Sequence, residues 1–214
     1  LWDLSRRRLL STRSMPCAIT ALAFDESTGG EAARLAIGLE SGGWEVLLVS
    51  LPPLMSAAVL EHYKEEAAKV QGALEGEAEH RHEPPPTSLV AARRVNDVRF
   101  SPDGRMLAVA VADSIVLYDL EQSYLQVAKC SGHSSAVVHI DWTTTSDVLR
   151  SNDQGHEQRF WDAPSGEKIT VASACRDLPW ASSRVTLGWH CQGIFRNRAD
   201  GTGVHAADLS DDGA

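Results

Sequence analysis

The feature that most constrains the fold is a repeat. An apolar-plus-acid ending recurs along the chain as Trp2-Asp3, Tyr118-Asp119 and Trp161-Asp162. Tyr118 and Trp161 lie 43 residues apart, which is inside the period of roughly 40–45 residues that WD40 blades show. A repeat of this length predicts a series of similar four-stranded units, each of which buries its faces against its neighbours.

A second repeated piece is a strand that runs into a tight turn. The best copy passes through Phe100 into Ser101-Pro102-Asp103-Gly104, with weaker copies around Phe24, Trp142 and Leu209. Pro102 favours a φ near −65°, and Gly104 can take a positive φ, as such turns require. The runs between the markers are nearly continuous in apolar residues, as expected of strands buried between blades; they span 34–39, 46–51, 106–111 and 115–120. The predicted fold class is therefore all-β, a WD40-type β-propeller of about three blades plus parts of others.

The spacing of the markers also locates two insertions. Phe100 and Trp142 are 42 residues apart, whereas Phe24 and Phe100 are 76 apart and Trp142 and Leu209 are 67 apart. The predicted divisions are a blade region at 1–51, an inserted helix and Pro-rich linker at 52–87, two WD40-type blades at 88–171, a Trp-bearing insertion at 172–204 and the start of a further blade at 205–214.

The first insertion has a helical pattern. Met55, Val59, Tyr63 and Ala67 step by four residues, which predicts an amphipathic helix. It is interpreted as a helix packed on its own propeller, as a docking helix for a partner, or as a segment from a wrongly predicted exon. Its Pro-rich tail is typical of a stiff linker.

A family resemblance enters with the second insertion. The stretches Arg176-Asp177-Leu178-Pro179-Trp180-Ala181 and Leu187-Gly188-Trp189-His190 resemble a connection in the C-terminal propeller of the echinoderm microtubule-associated-protein-like family. The stretch 95–104 and the piece His139-Ile140-Asp141-Trp142 are similar to blades of that family. The chain departs from the family at Phe195-Arg196 and at Gly203-Val204-His205, and the insertion at 52–87 has no recognised counterpart.

The resemblance implies two propellers in tandem, of which this chain is part of the second. It implies tubulin or microtubule association, with lattice binding that also uses a basic region and a coiled coil N-terminal to the propellers. Function is therefore expected to be that of a non-catalytic, cytoplasmic protein-interaction scaffold of the cytoskeleton. A generic WD40 scaffold, such as a ubiquitin-ligase receptor or a ciliary transport component, is the alternative, and a propeller hydrolase is a disfavoured one.

Many WD40 blades share a hydrogen-bonded set of His, Ser or Thr, Asp and Trp. His133 and Trp161 stand at the first and last positions of this set, but the residue six before Trp161 is Gly155 and the residue six before Tyr118 is Ala112. The set is predicted to be incomplete, the blades to depend more on apolar packing, and His133 to be structural.

No catalytic, cofactor or metal site is predicted. Gly132-His133-Ser134-Ser135-Ala136 approximates a nucleophile elbow, but a strand instead of a helix is expected after Ser134. Cys175 and Cys191 have no paired neighbour at the short spacing of zinc ligands, and His80 and His82 are interpreted as part of a charged, solvated linker. There is no phosphate-binding glycine loop. Trp180 and Trp189 are either exposed interface anchors or, preferably, residues that pin the insertion to the propeller.

Charge and composition exclude several classes of partner. The net charge of −9 disfavours nucleic acid and anionic lipid, and no apolar run has the length of a membrane span. The four cysteines are scattered and no Asn-x-Ser/Thr acceptor occurs, so an intracellular, reducing compartment is expected.

The first residues, with no initiator Met and no signal peptide, are interpreted as the interior of a longer protein. The segment alone is expected to aggregate, because a WD40 propeller usually needs about seven blades and this chain has markers for about three.

Overall fold

The computed structural model describes residues 2–3, 8–9, 12–27, 32–50 and 93–188. These residues form antiparallel sheets and a short 3-10 helix, η1 (Ala172–Cys175). The strands are β1 (Trp2–Asp3), β2 (Arg8–Leu9), β3 (Ile19–Phe24), β4 (Ala32–Leu39), β5 (Trp44–Ser50), β6 (Val95–Phe100), β7 (Met106–Val111), β8 (Ser114–Asp119), β9 (Leu125–Ser131), β10 (Val137–Trp142), β11 (Val148–Asp153) and β12 (Gln158–Asp162). In the described part of the chain, no helix is long and apolar enough to cross a membrane.

Each sheet joins strands that follow one another in sequence. We call β3-β4-β5 the first blade, β6-β7-β8-β9 the second blade and β10-β11-β12 the third blade. The leading strand β6 of the second blade packs against β3 and β4 of the first blade and against β10 of the third. The predicted propeller class is confirmed by these consecutive, face-packed antiparallel sheets. The predicted inserted helix at 52–87 and the predicted next blade at 205–214 lie outside the described residues.

The short pair β1–β2 has the arrangement of the outer hairpin of a blade. Asp3 pairs with Arg8 at the hairpin end, as Asp119 pairs with Leu125 in the hairpin of β8 and β9. The Trp2-Asp3 ending therefore occupies the same position in its hairpin as Tyr118-Asp119 in the second blade.

A β-bulge recurs at one place in the leading strand of every described blade. The register shifts between Ile19 and Ala21 in β3, between Val95 and Asp97 in β6, and between Val137 and His139 in β10. Side chains alternate along a strand, so the extra residue brings the first strand residue onto the same face as those three and five positions later. The apolar triplets at i, i+3 and i+5 are Ile19, Leu22 and Phe24; Val95, Val98 and Phe100; and Val137, Ile140 and Trp142.

The triplets of the second and third blades form the contacts between blades. Val95, Val98 and Phe100 pack against first-blade residues that include Trp44 and Val46. Val137, Ile140 and Trp142 pack in the same way against Ala108, Ala110 and Leu117 of the second blade. In the first blade, Ile19, Leu22 and Phe24 are 46%, 50% and 48% exposed, so the equivalent face is open among the described residues.

Two glycines permit close approaches. A Cβ on Gly38 would lie 2.5 Å from Cγ1 of Val95, where the first and second blades meet. Gly104, at φ +69, closes the predicted turn after β6, and a Cβ there would lie 2.0 Å from the Ser27 hydroxyl. Its carbonyl oxygen accepts a hydrogen bond of 2.7 Å from Arg34 Nη2, which ties the turn of the second blade to the first.

Candidate interaction site

The third blade contains a complete His-Ser-Asp-Trp network. Ser151 Oγ lies 2.7 Å from His133 Nε2 and accepts a hydrogen bond of 2.8 Å from Trp161 Nε1. His133 Nδ1 lies 3.2 Å from Asp153 Oδ2. A neutral imidazole protonated at Nδ1 satisfies the set, since Ser151 then donates to Nε2 while Nδ1 donates to the carboxylate.

The prediction of an incomplete network is therefore wrong for the third blade. The acid is Asp153, which precedes Trp161 by eight residues and not by six. The turn between β11 and β12 is longer than the spacing rule assumes, and it is closed by bonds from His156 N and Glu157 N to Asp153. Within this turn the backbone of His156 adopts a left-handed conformation, with φ +62.

In the second blade the same positions are apolar. Leu107 pairs with Tyr118 as Leu149 pairs with Trp161, so Val109 stands in the place of Ser151 and Val111 in the place of Asp153. Among the described residues, the hydrogen bond that the Asp113 carboxylate accepts comes from the hydroxyl of its neighbour Ser114, so Asp113 does not take part in a network of this kind. Here the expectation of apolar packing in place of a polar network agrees with the structure.

Burial and hydrogen bonding act in opposite directions on the pKa values of His133 and Asp153 in this network. Burial lowers the pKa of His133, opposed by its hydrogen bond to Asp153. Burial acts to raise the pKa of Asp153, but hydrogen bonds from the Glu157 backbone and from His133 outweigh it, so the pKa is lowered.

His133, Asp153 and Glu157 also place ligand atoms within 4.8 Å of one another, a spacing that a metal ion could bridge. However, both imidazole nitrogens of His133 are engaged in the network, and Glu157 is paired with Arg159. The arrangement is therefore explained without an ion.

The Ser134 region does not have nucleophile-elbow geometry. Strand β10 (Val137–Trp142) follows Ser134 within three residues, where an elbow requires a helix. The hydroxyl that does contact the imidazole belongs to Ser151, which is fully buried. The arrangement holds strands together and leaves that oxygen out of reach of a substrate.

A second buried polar cluster fastens residues 172–188, the described part of the predicted insertion and hereafter called the insertion, to the third blade. The carboxylate of Asp141, which is fully buried, accepts hydrogen bonds at 2.9 Å from Arg150 Nε and at 2.5 Å from Ser182 Oγ. It also accepts from the backbone N–H groups of Arg184 and Val185. Arg150 Nη2 donates to the Ser182 carbonyl at 3.1 Å. We call this group the insertion clamp.

Trp180 completes the attachment. Its ring is half-buried, lies 4.3 Å below the Arg150 guanidinium and lies 6.0 Å from the Phe160 ring. The backbone on either side is bonded to the blade, through Thr144 N to Pro179 O and Ala181 N to Trp142 O, both at 2.9 Å. Trp189 lies outside the described residues.

The other predicted markers close turns or fill the core. Asp103 accepts from Ser101 Oγ and Arg105 N, Asp119 accepts from Glu121 N and Gln122 N, and Asp162 accepts from Ser165. Phe100, Tyr118, Trp142 and Trp161 are buried. Of Trp2 and Asp3 only the backbone is described.

A cavity of about 320 Å³ opens where the three blades meet the insertion. Its walls carry aromatic rings (Phe24, Phe100, Trp142), small or apolar residues (Ala23, Pro102, Ala181) and polar ones (Glu26, Arg99, Ser101, Ser182). Trp142 Nε1 donates to the Arg99 carbonyl at 3.3 Å and so joins two of the walls. The insertion clamp fixes the wall formed by Ala181 and Ser182.

Sequence reasoning missed Ser151, Asp153, Asp141 and Arg150. For Ser151 and Asp153 a signal existed, namely a Ser-x-Asp pair at the end of a strand after Gly132-His133. For Asp141 and Arg150 the signal was weaker, namely one acidic residue in β10 and one basic residue in β11, each next to apolar residues, and buried charges are usually paired.

Comparison with known proteins gives consistent matches. Residues 1–214 match the family model described as the echinoderm microtubule-associated protein second beta-propeller. The 77 kDa echinoderm microtubule-associated protein of Strongylocentrotus purpuratus is 31% identical over 217 residues, covering 100% of this chain and 27% of that protein. Echinoderm microtubule-associated protein-like 2 of Homo sapiens is 39% identical over 124 residues (56% of this chain and 19% of that protein). Echinoderm microtubule-associated protein-like 1 of Mus musculus is 37% identical over 113 residues (51% and 14%). The chain thus spans only about a quarter or less of the length of these relatives.

Proposed function

Because the chain belongs to the echinoderm microtubule-associated protein second β-propeller family, we propose that it is a non-catalytic protein-interaction module of the cytoplasmic cytoskeleton that contributes to microtubule association. The relatives that it matches are named as microtubule-associated proteins or as similar to them. Tubulin or the microtubule is the proposed partner.

The observation that carries the proposal is the use of the buried polar groups. In the described blades, the groups that resemble catalytic ones, His133, Ser151 and Asp153, bond one another and Trp161. The buried Asp141–Arg150 pair holds the insertion. These contacts build a rigid scaffold with a shaped surface, as an interaction module requires.

Charge indicates how such a module would engage tubulin. Tubulin tails are acidic, and this chain carries 29 acidic and 20 basic residues, so long-range attraction between the two is not expected. Binding is proposed to depend on local shape, apolar contacts and short-range pairs. These are screened by salt much less than exposed charges, whose interactions fade beyond about 8 Å at physiological ionic strength.

The test is co-sedimentation of the full-length protein with microtubules across a salt series, beside a variant that lacks the region upstream of the propellers. Binding by the propeller-only variant should persist as salt is raised. The contribution of a basic upstream region should decline with salt. Strong binding by the propellers alone that disappears with modest added salt would contradict the proposed mode, and no binding to microtubules or tubulin by either protein would contradict the proposed function.

A further inference from the structure

The third blade differs from the first two on the face that is turned away from the preceding blade. On that face each blade presents two cross-strand pairs at equivalent positions of the register. In the first and second blades these residues pack on the apolar triplet of the blade that follows. The pairs are Gly38–Trp44 and Ala36–Val46 in the first blade, Ala110–Ile115 and Ala108–Leu117 in the second, and Asn152–Gln158 and Arg150–Phe160 in the third. The small, apolar surface of the first two blades is therefore replaced by a large and polar one.

Close packing between blades depends on the small residues at these positions. A Cβ on Gly38 would lie 2.9 Å from Cβ of Val95, so the leading strand of the second blade lies as near as the first sheet allows. Asn152 stands at the position of Gly38, with the large Arg150 beside it on the same face. A leading strand could approach the third blade in this way only by displacing both side chains. In addition, Asn152 Oδ1 and Gln158 Nε2 are buried and have no hydrogen-bond partner among the described residues, and an apolar triplet would leave them unpaired.

The insertion already covers this face of the third blade. The Trp180 ring lies against Arg150 and Phe160. Val185 is fully buried, and its backbone N–H donates to Asp141 Oδ2 at 2.9 Å. The contacts that a following blade would make with the sheet are thus made by the insertion.

The insertion is not itself a leading strand, because it runs in the opposite direction. Trp180 forms an antiparallel bridge with Thr143, just after the end of β10, and Val185 lies further back along this strand, at Asp141. By contrast, β6 and β10 run side by side in the same direction, as shown by two hydrogen bonds that each join residues 43 apart.

We propose that the insertion is a spacer between blades, and that the blade that follows packs on the insertion and not on the sheet of the third blade. The segment that would pack there carries Val204, Ala207 and Leu209, which repeat the i, i+3 and i+5 spacing of the other apolar triplets. Trp142 and Leu209 are 67 residues apart, against 42 for Phe100 and Trp142, so the chain has the extra length that an additional layer needs. The inference concerns the build of the propeller and holds for any partner.

The point of contact can be placed along the insertion. Leu209 has the place of Trp142 in its triplet, and the leading strands of neighbouring blades lie level with each other. Ala181 donates its N–H to Trp142 O at 2.9 Å and is exposed, so it lies at the level of Leu209. We therefore expect Ala181 and Leu209 to be neighbours, and Asn152 and Val204 to be kept apart by the insertion.

The experiment is disulfide trapping in the full-length protein, with peptide mapping by mass spectrometry after mild oxidation. G38C/V95C is the matched control, because the Cβ atoms at these positions lie close together across a regular junction between blades. A181C/L209C should be cross-linked as completely as this control.

N152C/V204C joins the positions equivalent to those of the control pair, and it should remain reduced. N152C removes no described hydrogen bond of the Asn152 carbonyl oxygen. A disulfide in this variant, formed as readily as in the control, would overturn the proposal. The absence of a disulfide in A181C/L209C would overturn it as well.

A second measurement does not depend on paired cysteines. Photoreactive benzoylphenylalanine in place of Ala181 should cross-link to the peptide that carries Leu209. Because Ala181 is exposed, this replacement is compatible with folding. Cross-links to other segments alone would contradict the proposal.

Discussion

The guanidinium of Arg150 lies between two partners, with Asp141 Oδ2 2.9 Å from its Nη2 and the Trp180 ring centre 4.3 Å from its central carbon. This places a residue of the insertion in direct contact with an ion pair buried inside the third blade. The attachment of the insertion and the stability of the blade are therefore coupled.

Replacing Trp180 with Ala should lower the free energy of unfolding of the full-length protein by about 1–3 kcal/mol. The half-buried ring loses less than a core tryptophan would, but it also loses the stacking on Arg150. W180F should retain much of the packing and cost less. Urea unfolding of the two variants measures the difference. Unchanged stability together with weaker partner binding would show instead that Trp180 is an exposed anchor.

Replacing Asp141 with Asn should destabilise the protein by about 3–5 kcal/mol, because Arg150 would remain buried without its counter-charge. The exposed pair of Arg105 and Glu121 gives the control, since E121Q should change stability by about 0–1 kcal/mol. D141N should also expose the chain near Ser182 to proteolysis, because four of the contacts that hold it end on Asp141 or Arg150. Protection equal to that of the unmodified protein would argue against the clamp.

Replacing Ser151 with Ala should cost about 1–3 kcal/mol, since it leaves Trp161 Nε1 and His133 Nε2 buried without their shared partner. The matched control is Ser165, whose exposed hydroxyl bonds Asp162 at a turn, and S165A should change stability by no more than about 0.5 kcal/mol. Chemical denaturation of both variants is the measurement. A neutral S151A would mean that the network adds no net stability.

Acid should weaken the third blade through His133. Burial lowers the pKa of this imidazole, so the unfolded chain binds a proton at a higher pH than the folded chain does. Stability is therefore fully present above the unfolded value of about 6.5 and declines as pH falls below it towards the folded pKa. Unfolding free energies at near-neutral and mildly acidic pH should show a smaller acid-induced loss in H133Q than in the unmodified protein. Equal slopes for H133Q and the unmodified protein would contradict the assignment.

The repeat was sufficient to predict the fold because its strand-and-turn markers can be recognised in short stretches of sequence. Two predicted strands are confirmed, the one at 106–111 as β7 and the one that follows Ser134 as β10 (Val137–Trp142). The family is confirmed by the match over residues 1–214. The run predicted at 115–120 is displaced by one residue, as β8 spans Ser114–Asp119. Boundaries are set by pairing with neighbours, which pattern alone does not show.

The network and the clamp were harder to predict for different reasons. Asp153 was missed because a fixed offset from Trp161 does not allow for a longer turn. Asp141 meets Ser182 across 41 residues of sequence, and no local pattern identifies such a partner. The cavity depends on side chains from three blades and the insertion at once, so it is visible only in the folded chain.

The bulge at the start of β3, β6 and β10 has a consequence for how this gene can change. The bulge absorbs Asn96 as an extra residue, so Val95 lies on the same side as Val98 and Phe100. A point mutation at Asn96 keeps the bulge, and loss of its codon would restore regular pairing with Val95 two positions before Val98, which leaves Val95 on the same face. Each blade can therefore accept substitutions or the loss of one residue at this position, whereas loss of Arg99 would put Val98 and Phe100 on opposite faces, so in-frame deletions should be tolerated at Asn96 and selected against at Arg99.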